Sequence, residues 1–139
     1  MIILIMGLPG SGKTTLARRV VKILKAKWLN ADTVRRKYKN WDFTKKGIVR
    51  QVKRMKKLAK MSKKKIVVAD FVCPLHIQIK IFKPDFIIWM DTIKISRFDS
   101  MNKLFKKPVK YDLRLTKKNL TLNISKIKSK IKKLNLIDL

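Results

Sequence analysis

Glutamate is missing altogether, so carboxylate chemistry must come from eight aspartates: Asp32, Asp42, Asp70, Asp85, Asp91, Asp99, Asp112 and Asp138. A single cysteine, Cys73, and a single histidine, His76, exclude a disulfide framework within the chain and a Cys/His zinc site. Long apolar runs are absent too. None approaches the length of about eighteen residues that a membrane span needs, and the apolar start meets Gly7 without a basic leader. These absences predict a soluble, cytoplasmic protein with no membrane partner. At 139 residues the chain fits one domain, 1–139, and 46% apolar residues suffice for a core.

Negative charge is scarce against 37 basic residues, which leaves a formal charge of +29. Such a surface attracts polyanions, nucleic acid among them. A compositional drift toward Lys, Ile and Asn produces the same excess with no partner in view. The basic residues are 29 Lys and 8 Arg, and phosphate or base readout recruits Arg for its bidentate fork, so the balance leans toward drift. Charge alone names no partner, and nucleic acid is not the favoured one.

Glycine is rare as well, at four residues, yet three of them are Gly7, Gly10 and Gly12. They lie in Gly7-Leu8-Pro9-Gly10-Ser11-Gly12-Lys13-Thr14, a full match to the phosphate-binding pattern G-x-x-x-x-G-K-S/T. Upstream, Met1 to Met6 is an unbroken apolar run suited to a strand buried on both faces. Downstream, Leu16, Val20, Ile23 and Leu24 recur at helical spacing. Strand, glycine loop and helix is the order the chemistry requires. The glycines let backbone N–H groups converge on phosphate oxygens, and the helix N-terminus adds partial positive charge. Gly7, Leu8, Pro9, Gly10, Ser11, Gly12, Lys13, Thr14 and Thr15 are thus the expected ATP-binding set. Lys13 would reach the β- and γ-phosphates, and the Thr14 hydroxyl would bind Mg²⁺.

The rest of the chain alternates. Trp28-Leu29-Asn30, Lys65 to Phe71, Phe86 to Asp91 and Tyr111 to Leu115 read as further strands. Helices are expected around Val34 to Tyr38, after Thr44 with Ile48, Val52, Met55 and Ala59 inward, from Leu75 to Phe82, and over about 119–135. The long helix after Thr44 has a strongly basic outer face. A polar, Lys-rich stretch over about 94–110 interrupts the series. This pattern predicts a P-loop NTPase of nucleoside-kinase-like form, a three-layer α/β/α fold with a five-stranded parallel sheet. Ligands gather at the C-terminal strand edge of such sheets, which would carry the glycine loop, Asp32, Asp70 to Pro74 and Asp91. One carboxylate there can orient or deprotonate an acceptor hydroxyl, while another holds the metal shell. Asp32 is the stronger choice for the acceptor, with helix capping as a compatible role. Cys73 reads as a buried filler, His76 as a surface or helix-start residue, and Asp91 as a strand-end cap. Trp41 with Phe43 stands apart from the other aromatics, because this loop can offer an aromatic face to a base.

Several blocks resemble the adenylylsulfate kinases, P-loop enzymes that phosphorylate the 3′-hydroxyl of adenosine 5′-phosphosulfate with MgATP. Gly7 to Ala17 resembles their phosphate loop, and Leu29-Asn30-Ala31-Asp32-Thr33-Val34-Arg35 their L-D-G-D-x-V/I-R. Phe43-Thr44 is similar to their F-S segment, Asp70-Phe71-Val72-Cys73-Pro74 to their x-F-I-S-P loop, and Asn102 to Lys107 to their K-G-L-Y-K-K lid. The resemblance implies ATP and Mg²⁺ as cofactors, a place in sulfate assimilation, and a lid over 94–110; it allows a homodimer. By position it implies Lys13 and Asp32 as catalytic residues. It also implies Asp32, Arg35, Phe43, Arg50, Asp70, Phe71, Val72 and Cys73 on the acceptor side. Departures are plain. Asn30 stands at the first Asp position, Ile48 where a substrate arginine is expected, and Cys73 at a serine that carries a phosphoryl group in some members. Two other readings remain open: a polynucleotide 5′-hydroxyl kinase, which also pairs such a loop with Asp and Arg after the second strand, and a non-catalytic nucleotide-binding module.

Overall fold

A computed structural model describes residues 1–136, so that Asp138 lies outside the described residues. The chain runs through β1 (Ile2–Met6), α1 (Lys13–Leu24), β2 (Lys27–Asn30), α2 (Ala31–Tyr38), α3 (Lys45–Lys60), β3 (Val67–Asp70), α4 (His76–Phe82), β4 (Phe86–Met90), α5 (Asp99–Leu104), β5 (Leu113–Leu115) and α6 (Leu120–Lys133). The strands form one sheet in the order β2-β3-β1-β4-β5, and every pairing is parallel. This is the expected three-layer P-loop architecture.

The apolar run at the start explains why β1 is central. Alternate side chains of a strand point to opposite faces, and both faces here are covered. Ile3 and Ile5 pack with Leu16, Ala17 and Val20 of α1 and with Ile124, Ile127 and Ile131 of α6. Leu4 and Met6 pack on the other side with Val34 of α2, Val52 and Met55 of α3, and Phe82 of α4. A strand with one wet face would have alternated polar and apolar residues; this one cannot.

Local chemistry sets the helix starts. Asn30 caps α2 by accepting from the Thr33 N–H at 3.0 Å, and Thr44 caps α3 by accepting from Gly47 at 3.2 Å. The cap of α2 is therefore Asn30, whereas Asp32 occupies the first turn with its carboxylate uncommitted to capping. Within the 94–110 stretch the sequence shows no helical period, yet α5 forms. Asn102 bonds Ser96 through its Oδ1 (2.8 Å from Ser96 N) and its Nδ2 (2.8 Å to Ser96 O), and these bonds tie the short helix in place. The segment then docks on the turn after β3. Lys106 N donates to Pro74 O at 2.8 Å, and the His76 ring meets Lys107 O at 2.8 Å. Among the described residues no helix is long and apolar enough to cross a membrane.

Candidate active site

The glycine loop follows β1 at the centre of the sheet, where strand order reverses direction. Gly10 and Gly12 have φ of 83° and 98°, in the left-handed region that favours glycine. Gly7 is constrained by space as well: a Cβ there would lie 2.5 Å from the Met90 carbonyl oxygen and 2.9 Å from Ser11 Oγ. Two side chains brace the loop from outside. Thr92 Oγ1 donates to Ser11 O at 2.6 Å, and Lys118 Nζ to Gly10 O at 2.7 Å. No side chain caps the first turn of α1, which leaves its N–H groups without a side-chain acceptor. Ser11 Oγ is fully buried with no hydrogen-bond partner. An unpaired hydroxyl beside an uncapped helix N-terminus suits an oxyanion.

Lys13 is buried, and its Nζ donates to the loop's own Leu8 carbonyl at 3.0 Å. Burial pulls its pKa down to about 8, against the charges of Asp70 and Asp32, which push it back up. The ammonium is a partly desolvated cation whose hydrogen-bond partner is a peptide carbonyl. A triphosphate offers it a stronger acceptor than a peptide carbonyl.

Asp70 closes β3 directly beside this lysine. Its Cα is in register with Ile5 on one side and Asn30 on the other. Trp28 Nε1 donates to its Oδ2 at 2.5 Å, Asn30 Nδ2 to its Oδ1 at 2.9 Å, and Thr14 Oγ1 to the same Oδ1 at 3.4 Å. The side chain is buried, which raises its pKa; the indole and amide bonds and the Lys13 charge oppose that rise. The carboxylate that the resemblance expects at the end of β2 is thus supplied from β3, one strand over, with Asn30 turned into its donor. Asp70 was expected on the acceptor side; its carboxylate also meets Thr14 at the start of α1.

Asp32 is exposed at the head of α2, and its charge acts on both Lys13 and Arg35. Arg35 is only 6% exposed. Its Nη1 reaches Asn40 O at 3.2 Å and Asp42 O at 3.3 Å, while its guanidinium stacks 4.3 Å from the Phe43 ring centroid. Arg35 therefore shapes the loop between α2 and α3 and backs the ring of Phe43, which remains half exposed.

Other expected acceptor residues fall differently. Phe71 and Cys73 are core residues, and Phe71 packs edge-on against Phe82 with centroids 5.4 Å apart. Burial pushes the Cys73 thiol well above its ordinary range, which leaves it without nucleophilic character. Val72 is half-buried between them. Ile48 is in the core, and Arg50 lies on the outer side of α3, 3.9 Å from Asp42. Asp91 is held by Arg114 through Nε at 2.8 Å and Nη2 at 2.6 Å, an ion pair that fastens β4 to β5. A residue the sequence did not single out is Trp28, which packs against the core and donates to Asp70. Only the register of β2 on β3 brings the two together.

Set beside known proteins, residues 2–74 match the family model described as AAA domain. Among solved structures, the chain superposes on an APS kinase from Mycobacterium tuberculosis, determined with AMPPNP and APS, at a TM-score of 0.80 and 18% identity. That match covers 94% of this chain and 96% of the other. A shikimate kinase from Aquifex aeolicus gives 0.69 at 16% identity, covering 98% and 99%. A gluconokinase from Sinorhizobium meliloti gives 0.69 at 10% identity, covering 95% and 91%. No curated protein matches the chain in sequence.

Proposed function

The chain belongs to the AAA domain family, and on that premise we propose that it is an ATP-dependent phosphotransferase with an alcohol acceptor. Within that class the reading is an adenylylsulfate kinase, cytoplasmic, moving the γ-phosphate of ATP to the 3′-hydroxyl of adenosine 5′-phosphosulfate. The observation that carries it is the glycine loop ending in buried Lys13, with Asp70 bonded to Thr14 at the close of β3 and Asp32 exposed at the head of α2. One site cradles phosphate, and a second carboxylate remains free to meet an acceptor.

The residues divide the work. The uncapped first turn of α1 and the glycine loop bind the triphosphate, with Lys13 moving from Leu8 O to the γ-phosphate. Thr14 and Asp70 are hydroxyl and carboxylate donors of the kind Mg²⁺ takes alongside phosphate oxygens and water, and the pair would hold it. When bound, the ion neutralises charge on the transferring group. Asp32 accepts the acceptor hydroxyl's proton as the oxygen attacks. Phe43, backed by Arg35, offers its free face to the acceptor's base.

Thr14→Ala and Asp70→Asn should each raise the Mg²⁺ concentration for half-maximal transfer, by about 10- to 100-fold. A Mg²⁺ titration of initial rate reads this directly, and unchanged half-saturation in both variants would remove them from the metal shell. The substrate assignment is tested by kcat/KM for adenosine phosphosulfate, shikimate, gluconate and a 5′-hydroxyl oligonucleotide measured side by side. The proposal expects adenosine phosphosulfate to lead; any other leader reassigns the acceptor.

A further inference from the structure

Five cations on α3 recur at Lys46, Arg50, Lys53, Lys57 and Lys60, spaced by four, three, four and three residues. At 3.6 residues per turn they fall within an arc of about 80°, with successive charges about 5 Å apart along the axis. All five are exposed. Like charges at these spacings repel one another, so the row costs helix stability unless an anion meets it. The protein supplies little: among the described residues the ion pairs are Arg50–Asp42, Lys103–Asp99 and Arg114–Asp91, and only the first touches this row.

The head of the row meets aromatic surface. Tyr38, Trp41 and Phe43 are 44%, 50% and 50% exposed, three large rings within six residues. Two of them carry a guanidinium on one face: Arg54 lies 4.2 Å from the Tyr38 centroid and Arg35 4.3 Å from that of Phe43. Four of the eight arginines of the chain, Arg35, Arg36, Arg50 and Arg54, lie on α2 and α3. A drift toward lysine explains neither that concentration nor exposed rings propped open by arginine. A single nucleotide covers the rings but not a row about 21 Å long. A headgroup layer would match the charge and takes aromatic rings as well, and the vesicle measurement below separates it from a strand.

We propose that the face formed by α2, the 39–44 loop and the outer side of α3 binds single-stranded nucleic acid. Bases stack at Tyr38 and Trp41, and the backbone runs along the α3 cations. This binding is independent of the acceptor assigned above, because the row lies outside the phosphotransfer machinery.

The test is fluorescence anisotropy of a labelled oligothymidylate titrated with the intact protein. Five phosphates neutralised on a single strand predict an affinity loss of about 10²-fold between about 50 and 200 mM salt. Trp41→Ala should weaken binding on the order of 10-fold. Lys46, Lys53, Lys57 and Lys60 changed together to Glu should abolish binding while leaving turnover on adenosine phosphosulfate intact. The decisive control is a reversal of equal charge on α6, at Lys126, Lys128, Lys132 and Lys133, which should retain most of the affinity. Equal loss in the α3 and α6 variants would mean that net charge alone binds the strand, and the proposal fails. Capture by anionic vesicles without oligonucleotide binding would overturn it as well. Absent turnover with intact oligonucleotide binding would defeat the kinase reading alone.

Discussion

Lys13→Ala should reduce phosphoryl transfer by on the order of 10²- to 10³-fold, the loss seen when one preorganised donor to transition-state charge is removed. The ammonium is already desolvated and aimed at the phosphate loop, so little reorganisation is needed when negative charge builds on the γ-phosphoryl oxygens. The same burial has an opposite effect on stability. Unfolded, the lysine holds its proton to about 10.5; folded, only to about 8, so the charged form costs on the order of a few kcal/mol at pH 7. Between those values the unfolded chain binds more protons, and stability rises with pH. Lys13→Met removes the cost. That variant should melt above the wild type at pH 7, and its advantage should shrink between pH 8 and 10.5. Thermal denaturation at several pH values, beside initial rates, reads both halves. A variant that keeps full turnover would break the assignment of the loop.

What the sequence revealed and what it hid follow from the range of the signals. The glycine loop and β1 were legible because their requirements are local: an apolar run that fills two cores and glycines at two left-handed positions. The amphipathic stripe of α3, with Ile48, Val52, Met55 and Ala59 inward, was legible for the same reason. Asp70 was found but its partners were not, since they depend on β3 lying between β1 and β2, so that Asn30, Trp28 and Thr14 converge on one carboxylate. Arg35 was expected on the acceptor side; hidden from the sequence were its bonds to the Asn40 and Asp42 carbonyls, which only the chain's path after α2 brings to its guanidinium. Phe71 and Cys73 sit in a loop that resembles a substrate loop, but their side chains complete the core beneath it. α5 escaped because a six-residue helix tied by Ser96 and Asn102 has no apolar period to read.

The second large effect concerns Asp32. It stands after β2 at the head of α2 and makes none of the loop's hydrogen bonds. Asp32→Asn should therefore abolish measurable transfer, removing the base that takes the acceptor's proton, yet leave ATP affinity within a few-fold. Ala31 and Thr33 keep α2 in place, and Asn30 still caps it, so the fold has no stake in the carboxylate. Arg35→Ala differs in kind. It frees the 40–42 loop and removes the backing of Phe43, so it should raise the acceptor KM more than it lowers kcat. Equal loss of ATP affinity in Asp32→Asn and Lys13→Ala would show that the two residues form one phosphate site rather than separate donor and acceptor sides.

ATP in the glycine loop gives its γ-phosphate to an acceptor beside Asp32, and the fate of that phosphate decides the matter. The protein is incubated with MgATP labelled at that position and with adenosine 5′-phosphosulfate, and the products are separated and assigned by phosphorus NMR. The account predicts label on the acceptor's 3′-oxygen, formed one for one with ADP and lost in Asp32→Asn. Label that remains in ATP, or leaves it only as inorganic phosphate, would contradict it.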